Sequence, residues 1–160
     1  MVGDLREEDI LCDPFCGALT IPITALKYFN VKRVLCSDIS GNAVEKSQKN
    51  FESAKISKEK YKLFQSDIGE IKFNKQNVDK IVTNLPFGIR VKNHEKNINA
   101  YENFEKVADK ILRKKGVIIV LTQEKVLLRK VFKKEKWLVK SITRINEGGL
   151  YPEIFEISRK

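Results

Sequence analysis

The chain alternates between two spacings of apolar residues. Short runs that are hydrophobic almost throughout predict β-strands, because such runs are typical of strands covered on both faces of a sheet. They occur at residues 9–13, 33–38, 61–67, 78–86 and 116–122. Two later runs, 137–145 and 153–158, also predict strands and bring the number to seven.

Between these runs, four segments place apolar residues three or four positions apart, which is the period of an amphipathic helix. They cover residues 21–29, 43–54, 101–112 and 127–132, whereas the link at 68–77 shows too little periodicity to predict a helix. Alternating strands and helices form βαβ crossovers, so we expect an α/β fold whose mostly parallel sheet carries helices on both faces. The paired glycines of "NEGGLYP" predict that the last two strands form an antiparallel hairpin.

The length of the chain predicts a single domain over residues 1–160. A domain of this size buries roughly 70% of the surface that its unfolded chain exposes, which is enough for a substantial core. The longest apolar run, Val117 to Leu121, is far shorter than the ~20 residues of a membrane span. The first residues lack the apolar core of a signal peptide. We therefore expect a cytoplasmic protein without a membrane partner.

Charge and cysteine content narrow the possible partners. The chain has 31 Lys and Arg against 21 Asp and Glu, a net charge of +10 that favours phosphate-bearing partners such as nucleic acid. A Lys-rich surface of the kind found in heat-adapted proteins is the alternative interpretation. The three cysteines form no CxxC pair and are expected to be buried thiols. Because the single histidine, His94, lies far along the chain from them, no metal site is predicted.

Polar residues follow four consecutive predicted strands at the point where each one ends. "DPFCG" (13–17) follows the first strand, Asp38 the second, Asp67 the third and "NLPF" (84–87) the fourth. In open parallel sheets ligands bind beyond the carboxyl ends of the strands. Asp38 lies 21 residues after Gly17, a spacing typical of the acidic residue that binds ribose hydroxyls. A tight strand-to-helix turn at Gly17 and a helix cap at Asp67 are the structural alternatives.

Two motifs resemble one known family. "DPFCGALTIP" (13–22) and "TNLPFGIRV" (83–91) resemble motifs I and IV of class I S-adenosylmethionine-dependent methyltransferases. More narrowly they resemble the THUMP-associated tRNA guanine-N2 methyltransferases, and the ending "INEGGLYPEIFEISRK" is similar to the closing hairpin of that family. The resemblance runs from about residue 9 to the C-terminus. It implies a Rossmann-like class I methyltransferase fold, S-adenosylmethionine as cofactor, and methyl transfer to an exocyclic amino nitrogen of RNA, guanine N2 in tRNA.

The resemblance also implies roles for individual residues. The methionine end of the cofactor would lie against the first motif, the ribose against Asp38, and the adenine between apolar side chains. The cofactor-binding residues implied in this way are Asp13, Phe15, Cys16, Gly17, Asp38, Ile39, Asp67 and Ile68. Cys16 could instead be a nucleophile for cytosine methylation, but its place in the cofactor loop favours packing.

The second motif has a chemistry that explains its residue types. The Asn84 side-chain oxygen and the Leu85 carbonyl are acceptors for the two hydrogens of a planar amino group, and Pro86 stiffens the turn that aims them. Phe87 would stack on the extracted base. Arg90 and Lys92 follow directly and could reach flanking phosphates. An ordinary strand exit with a buried aromatic ring is the structural alternative.

The chain departs from the family pattern at Leu19, where motif I of the family has a second glycine. A leucine there restricts the backbone and would add a side chain near the cofactor. The segment that precedes motif I in the family and the THUMP domain do not occur in these 160 residues. A fragment, a short form that borrows a THUMP-like RNA-binding partner, and a decayed copy all stay open.

Two rival functions follow from these observations. An adenine-N6 or glutamine-amide methyltransferase would use the same acceptor pair, because any planar amino group fits it. A catalytically silent RNA-binding or scaffold subunit would account for Leu19. A second basic cluster, at Lys125, Arg129, Lys130, Lys133, Lys134 and Lys136, suits either RNA contact or a solvated helix face.

Overall fold

Seven strands form one sheet in the order β3-β2-β1-β4-β5-β7-β6. The computed structural model describes residues 5–71, 77–86, 91–146 and 148–160. The strands are β1 (Ile10–Asp13), β2 (Arg33–Asp38), β3 (Tyr61–Gln65), β4 (Val78–Asn84), β5 (Leu112–Thr122), β6 (Trp137–Arg144) and β7 (Glu153–Arg159). The helices are α1 (Thr20–Tyr28), α2 (Gly41–Ser53), α3 (Val91–Ile111) and α4 (Lys125–Val131), and short 3₁₀ turns cover Lys58–Lys60 and Ile68–Glu70.

The pairing of the strands confirms the predicted mixed sheet. Strands β1 to β5 pair parallel with one another, whereas β7 is antiparallel to both β5 and β6. The hairpin turn between β6 and β7 contains Gly148 at φ 58° and Gly149 at φ 87°, values that favour glycine. The strand order reverses at β1, whose two neighbours are β2 and β4. Ligands of open α/β sheets bind at such a switch point.

The core has two halves, one on each face of the sheet. Neighbouring residues of β1 belong to different halves, because successive side chains of a strand point to opposite faces of the sheet. Leu11 packs with Val34, Phe51 and the residues of α1. Cys12 packs with Ile81, Tyr101 and the residues of α3 and α4. The sheet therefore carries helices on both faces, as predicted.

The largest differences from the predicted boundaries lie at the two ends of α3. Helix α3 begins at Val91, ten residues before the periodic apolar run, because its N-terminal half is polar and has no apolar stripe to reveal it. Leu112 belongs to β5 and not to the preceding helix, since it pairs with Val78 across an irregular start of that strand. Thr20 is the first residue of α1, and Leu19 occupies the N-cap without a side-chain hydrogen bond.

The three cysteines are buried free thiols, as expected. Burial is the main reason that the pKa of each thiol is raised, to about 12 for Cys16. Within the described ranges, no helix combines the length and the apolar composition that crossing a membrane requires.

Candidate functional site

A cleft of about 480 Å³ lies at the carboxyl ends of the parallel strands. Its walls come from the turn after β1 (Pro14 and Phe15), the end of β2, the turn after β3, Pro86 after β4, and one side of α3. The volume is within the range of small-molecule sites. Among the described residues, the only charged side chains that line it are Asp38 and Asp67. The cleft therefore suits a ligand that carries hydroxyls or positive charge better than one that carries phosphates.

The turn after β1 is tied to the end of β2 through Asp38. Gly17 has φ 48°, and its N–H donates to Asp38 Oδ2 at 3.0 Å. Ser40 N–H donates to Asp38 Oδ1 at 2.9 Å, so both carboxylate oxygens are held by backbone donors and each keeps a further acceptor position. A Cβ at Gly17 would meet no atom within 4 Å, which leaves the backbone of this turn open to close approach by a ligand.

Helix α2 supports the same turn from behind. Ser47 Oγ donates to the Gly17 carbonyl at 2.6 Å, and Asn50 Nδ2 donates to the Ala18 carbonyl at 2.9 Å. These bonds satisfy carbonyls that the turn exposes between strand and helix. They hold the glycine turn in place while the Gly17 N–H faces Asp38.

Two isoleucines give the cleft apolar walls. Ile39 is 66% exposed although it follows a buried strand, and Ile68 is buried in the core beneath the turn after β3. Asp67 also lines the cleft and accepts a hydrogen bond from Gly69 N–H at 2.9 Å. Asp67 is thus both the cap of a 3₁₀ turn and a wall of the cleft, which joins the two interpretations that the sequence left open.

Asp13 is buried behind the cleft and connects the first motif to β4. Thr83 Oγ1 donates to Asp13 Oδ1 at 2.7 Å, and Phe15 N–H donates to the same oxygen at 3.3 Å. Burial raises the pKa of Asp13 from 3.8 to about 7, against the opposing effect of these hydrogen bonds. A carboxyl group that titrates near neutral pH therefore links the two motifs.

The titration of Asp13 predicts a pH dependence of stability. Because the folded pKa lies above the unfolded value, folding favours the protonated carboxyl, and stability is lost as pH rises from about 4 to about 7. A shift of this size corresponds to roughly 4 kcal/mol at most. We expect Asp13→Asn to flatten the dependence of the unfolding free energy on pH between 5 and 8, measured by urea denaturation. Parallel pH curves for the variant and the native chain would contradict this assignment.

The residues of the second motif are held at the end of β4. Asn84 is exposed and pairs with Leu121 in the sheet. Leu85 is buried, and its N–H donates to the Leu121 carbonyl at 3.0 Å. Pro86 lines the cleft together with Phe15, so the end of β4 reaches the same cavity as Asp38.

Several site residues lie on α3 and were not predicted. Asn97 Nδ2 donates to the Pro86 carbonyl at 3.3 Å, and Asn99, Ala100 and Asn103 line the cleft. The signal for them was compositional, because asparagine is a poor helix former and this helix contains four. Tyr101 was predicted only as an apolar helix position, yet its hydroxyl also contacts the Pro86 carbonyl, at 3.3 Å.

Not every predicted residue reaches the cleft. The Cys16 side chain packs in the core against α1 and α2, while its N–H donates to the Ser37 carbonyl at 3.0 Å. Phe87 and Arg90 lie outside the described residues, and Lys92 lies in the first turn of α3, where the structure describes only the backbone. Their assigned contacts with base and phosphates stay predictions.

Leu19 does not enter the cleft. Its backbone is left-handed, with φ 69° and ψ 21°, and its fully buried side chain packs with Leu11, Ala25 and Phe51. The side chain that the sequence placed near the cofactor is therefore part of the core. The left-handed conformation itself costs a non-glycine residue roughly 1–2 kcal/mol.

Leu19→Gly is expected to destabilise the protein. Deleting a buried leucine side chain costs about 2–5 kcal/mol, which exceeds the relief of the left-handed backbone. We expect a net loss of about 2 kcal/mol in the unfolding free energy, measured by urea denaturation. Binding of S-adenosylmethionine is expected to change little, because the side chain lies outside the cleft. A gain of binding in the glycine variant would contradict this prediction.

The second basic cluster divides into paired and unpaired side chains. Lys125 forms an ion pair with Glu153 at 2.9 Å, and Lys136 with Asp109 at 2.7 Å. Arg129 lies over the Phe155 ring, 5.1 Å from its centroid. Lys130, Lys133 and Lys134 form no ion pair with another described side chain. These three lysines therefore remain available to bind an anionic partner.

Comparisons with known proteins agree with the fold. The family model of the RMKL-like methyltransferase domain matches residues 1–153. The tRNA (guanine(6)-N(2))-methyltransferase THUMP3 of Bos taurus is 28% identical over 94% of this chain. The aligned region is 32% of that relative, so the chain spans about a third of its length.

Two solved structures share the whole architecture. TrmN from Thermus thermophilus superposes with a TM-score of 0.85 at 21% identity, over 99% of this chain and 46% of its own. TYW2 from P. horikoshii, solved in complex with MeSAdo, superposes with a TM-score of 0.73 at 11% identity, over 99% of this chain and 59% of its own. At these identities the likeness establishes the class I methyltransferase fold. Together with the family model, it shows that the chain belongs to the RMKL-like methyltransferase domain family.

Proposed function

We propose that this domain transfers a methyl group from S-adenosylmethionine to an exocyclic amino nitrogen of RNA, namely guanine N2 in tRNA. The observation that carries the proposal is the meeting of two motifs at the switch point of the sheet. One cleft is lined by Phe15 of the first motif, by Pro86 of the second motif, and by Asp38 at the end of β2. A cofactor held by the first motif would therefore lie next to the acceptor groups at the end of β4.

The charge and shape of the cleft favour S-adenosylmethionine over phosphorylated cofactors. Asp38 offers anchored carboxylate oxygens suited to ribose hydroxyls, while Ile39 and Ile68 offer apolar faces suited to adenine. Asp67 could accept from the adenine amino group. No described lining residue is a Lys or Arg that would bind a pyrophosphate, and the negative charges of Asp38 and Asp67 disfavour a phosphorylated ligand. When bound, the cofactor supplies an electrophilic methyl group.

The remaining chemistry requires positioning rather than a strong base. An exocyclic amino nitrogen is a weak nucleophile that gains positive charge as it takes the methyl group. The Asn84 oxygen and the Leu85 carbonyl would accept its two hydrogens, aim the nitrogen at the methyl carbon and stabilise the developing charge. The proton can leave after transfer, so the assignment needs no histidine at the motif.

The choice of RNA and of guanine has separate support. The unpaired Lys130, Lys133 and Lys134 and the net charge of +10 suit a polyanionic substrate. The bovine relative carries the name of a tRNA guanine-N2 methyltransferase. We propose the same nucleotide here, and a THUMP-like partner or segment that supplies further RNA contacts.

The test is methyl transfer from radiolabelled S-adenosylmethionine to unmodified tRNA transcripts. We expect label in the RNA, recovered after nuclease digestion as N2-methylguanosine. Transcripts in which inosine replaces guanosine are the matched control, because inosine lacks only the 2-amino group. Label in DNA or in protein glutamine, with none in RNA, would move the assignment to another amino methyltransferase. Cofactor binding without transfer to any acceptor would indicate a silent subunit.

A further inference from the structure

A buried chain of hydroxyl groups ends on the second motif. Tyr101 of α3 is fully buried, and its hydroxyl lies 3.3 Å from the Pro86 carbonyl oxygen and 2.6 Å from Thr122 Oγ1. Thr122, also fully buried, accepts a hydrogen bond from Glu124 N–H at 2.9 Å. These hydrogen-bonded hydroxyls therefore join the end of β5 to the turn after β4, through a side chain of α3, the helix that lies between the two strands in sequence.

The direction of these hydrogen bonds follows from the donors available. The Pro86 carbonyl can only accept, so the Tyr101 hydroxyl donates to it. The Tyr101 oxygen then accepts from the Thr122 hydroxyl, whose own oxygen accepts from Glu124 N–H. Every group has a partner in this one arrangement. Desolvation by burial raises the pKa of Tyr101, which keeps the phenol protonated and able to donate.

The orientation of the Pro86 carbonyl reflects the backbone conformation of the second motif. The proline ring fixes φ, so ψ is the remaining soft torsion of this residue, and the carbonyl orientation reports that torsion. Tyr101 and Asn97 hold the carbonyl on one side, while Leu85 N–H is held by the Leu121 carbonyl on the other. The backbone that carries the Asn84 and Leu85 acceptors is thus fixed at both ends.

The geometry points to Tyr101 as a positioning residue for methyl transfer, fixed by Thr122 and acting through the Pro86 carbonyl on the acceptor groups of Asn84 and Leu85. This inference rests on the proposed function. Tyr101 touches neither substrate nor cofactor in this role, because its side chain has no exposed surface. Its removal should therefore change the rate of transfer and leave cofactor binding intact.

The test compares Tyr101→Phe with Tyr61→Phe. Both changes remove one hydroxyl from a ring in the core, and the Tyr61 hydroxyl contacts Gln48, at 3.1 Å, away from the cleft. We expect Tyr101→Phe to lower kcat roughly tenfold, as the loss of one oriented hydrogen bond allows, with the cofactor Kd within about twofold. Tyr61→Phe is expected to lower stability without lowering kcat. An equal loss of kcat in both variants, or a Tyr101→Phe rate within about twofold of the native rate, would overturn the inference.

Two further measurements separate positioning from general destabilisation. Thr122→Val should reproduce the loss, Thr122→Ser should lose less because it keeps the hydroxyl, and the Tyr101→Phe/Thr122→Val double variant should be no slower than Tyr101→Phe. Additive losses would contradict a single chain of hydrogen bonds.

The amide NMR spectrum of the free protein tests the same contact without any RNA. In Tyr101→Phe the backbone amide signals of Leu85 and of the residue after Pro86 should change their chemical shifts, and in Tyr61→Phe they should not. Unchanged Leu85 and post-Pro86 signals in Tyr101→Phe would overturn the inference even if the native chain methylates RNA. Shifted signals in a chain that methylates no RNA would support the contact and count against the proposed function alone.

Discussion

Replacing Asn84 with alanine is expected to lower kcat for methyl transfer by roughly 10²-fold or more, by analogy with the loss of one preorganised hydrogen-bonding group at a charged transition state. The change removes an acceptor from the amino group at the moment when its nitrogen gains positive charge. Asn84 is exposed at the end of β4, so the fold should not be affected. Single-turnover rates with labelled S-adenosylmethionine measure the loss, and calorimetry should find an unchanged Kd for the cofactor.

Two variants test whether that loss of rate comes from the missing acceptor oxygen. Asn84→Asp keeps acceptor oxygens at the same position, and we expect it to retain more activity than Asn84→Ala. Asn42→Ala removes another exposed asparagine, which lies on α2 and is not among the residues that line the cleft, and should leave the rate unchanged. Full turnover by Asn84→Ala would show that the end of β4 does not hold the reacting nitrogen.

Asp38→Ala is expected to weaken S-adenosylmethionine binding by roughly 10²-fold, because hydrogen bonds to a charged group contribute about 1.5–3 kcal/mol each. Two effects act together. The ribose loses its carboxylate partner, and the N–H groups of Gly17 and Ser40 lose the acceptor that holds the glycine turn. Isothermal titration of the cofactor into the variant measures the Kd directly, with no RNA present.

The matched control for Asp38 lies at the other end of the sheet. Asp79 also accepts a backbone hydrogen bond, from Ile10 N–H at 2.9 Å, and forms an ion pair with Arg113. Asp79→Ala should therefore lower stability by a similar amount and leave cofactor affinity unchanged. If both variants weakened the cofactor equally, the effect of Asp38→Ala would be a loss of fold and not of a ribose contact.

The strands and the two motifs could be predicted from the sequence because each depends on residues that are neighbours in the chain. Continuous apolar runs predicted the strands at 33–38 and 116–122, and paired glycines predicted the hairpin that Gly148 and Gly149 form. Asp38 and Asp67 could be named as cleft residues because the carboxyl ends of parallel strands meet at one edge. A resemblance in two short motifs identified the family because each motif is continuous in sequence, beginning in the last residues of β1 or β4 and running into the turn that follows.

The site residues on α3 could not be predicted from the sequence, because their positions depend on where the helix lies across the sheet. Nothing local to Tyr101 indicates that its hydroxyl reaches the Pro86 carbonyl, and its apolar spacing predicts only a core position. Asn97 belongs to the polar N-terminal half of α3, which has no periodic signal, and Asn103 is a polar position within the periodic half. Their place in the cleft follows from the packing of α3 alone.

The sequence by itself determined the order of strands and helices, the family, and the edge of the sheet at which chemistry is expected, because apolar period and strand-end residues are properties of neighbouring positions. Only the tertiary structure decided the direction of individual side chains. It placed the Leu19 side chain in the core and outside the cleft, buried Asp13 so that desolvation raises its pKa to about 7, and joined Thr122 to Pro86 through Tyr101. The physical reason is that burial and hydrogen bonding are set by residues far apart in the chain, which no local pattern records.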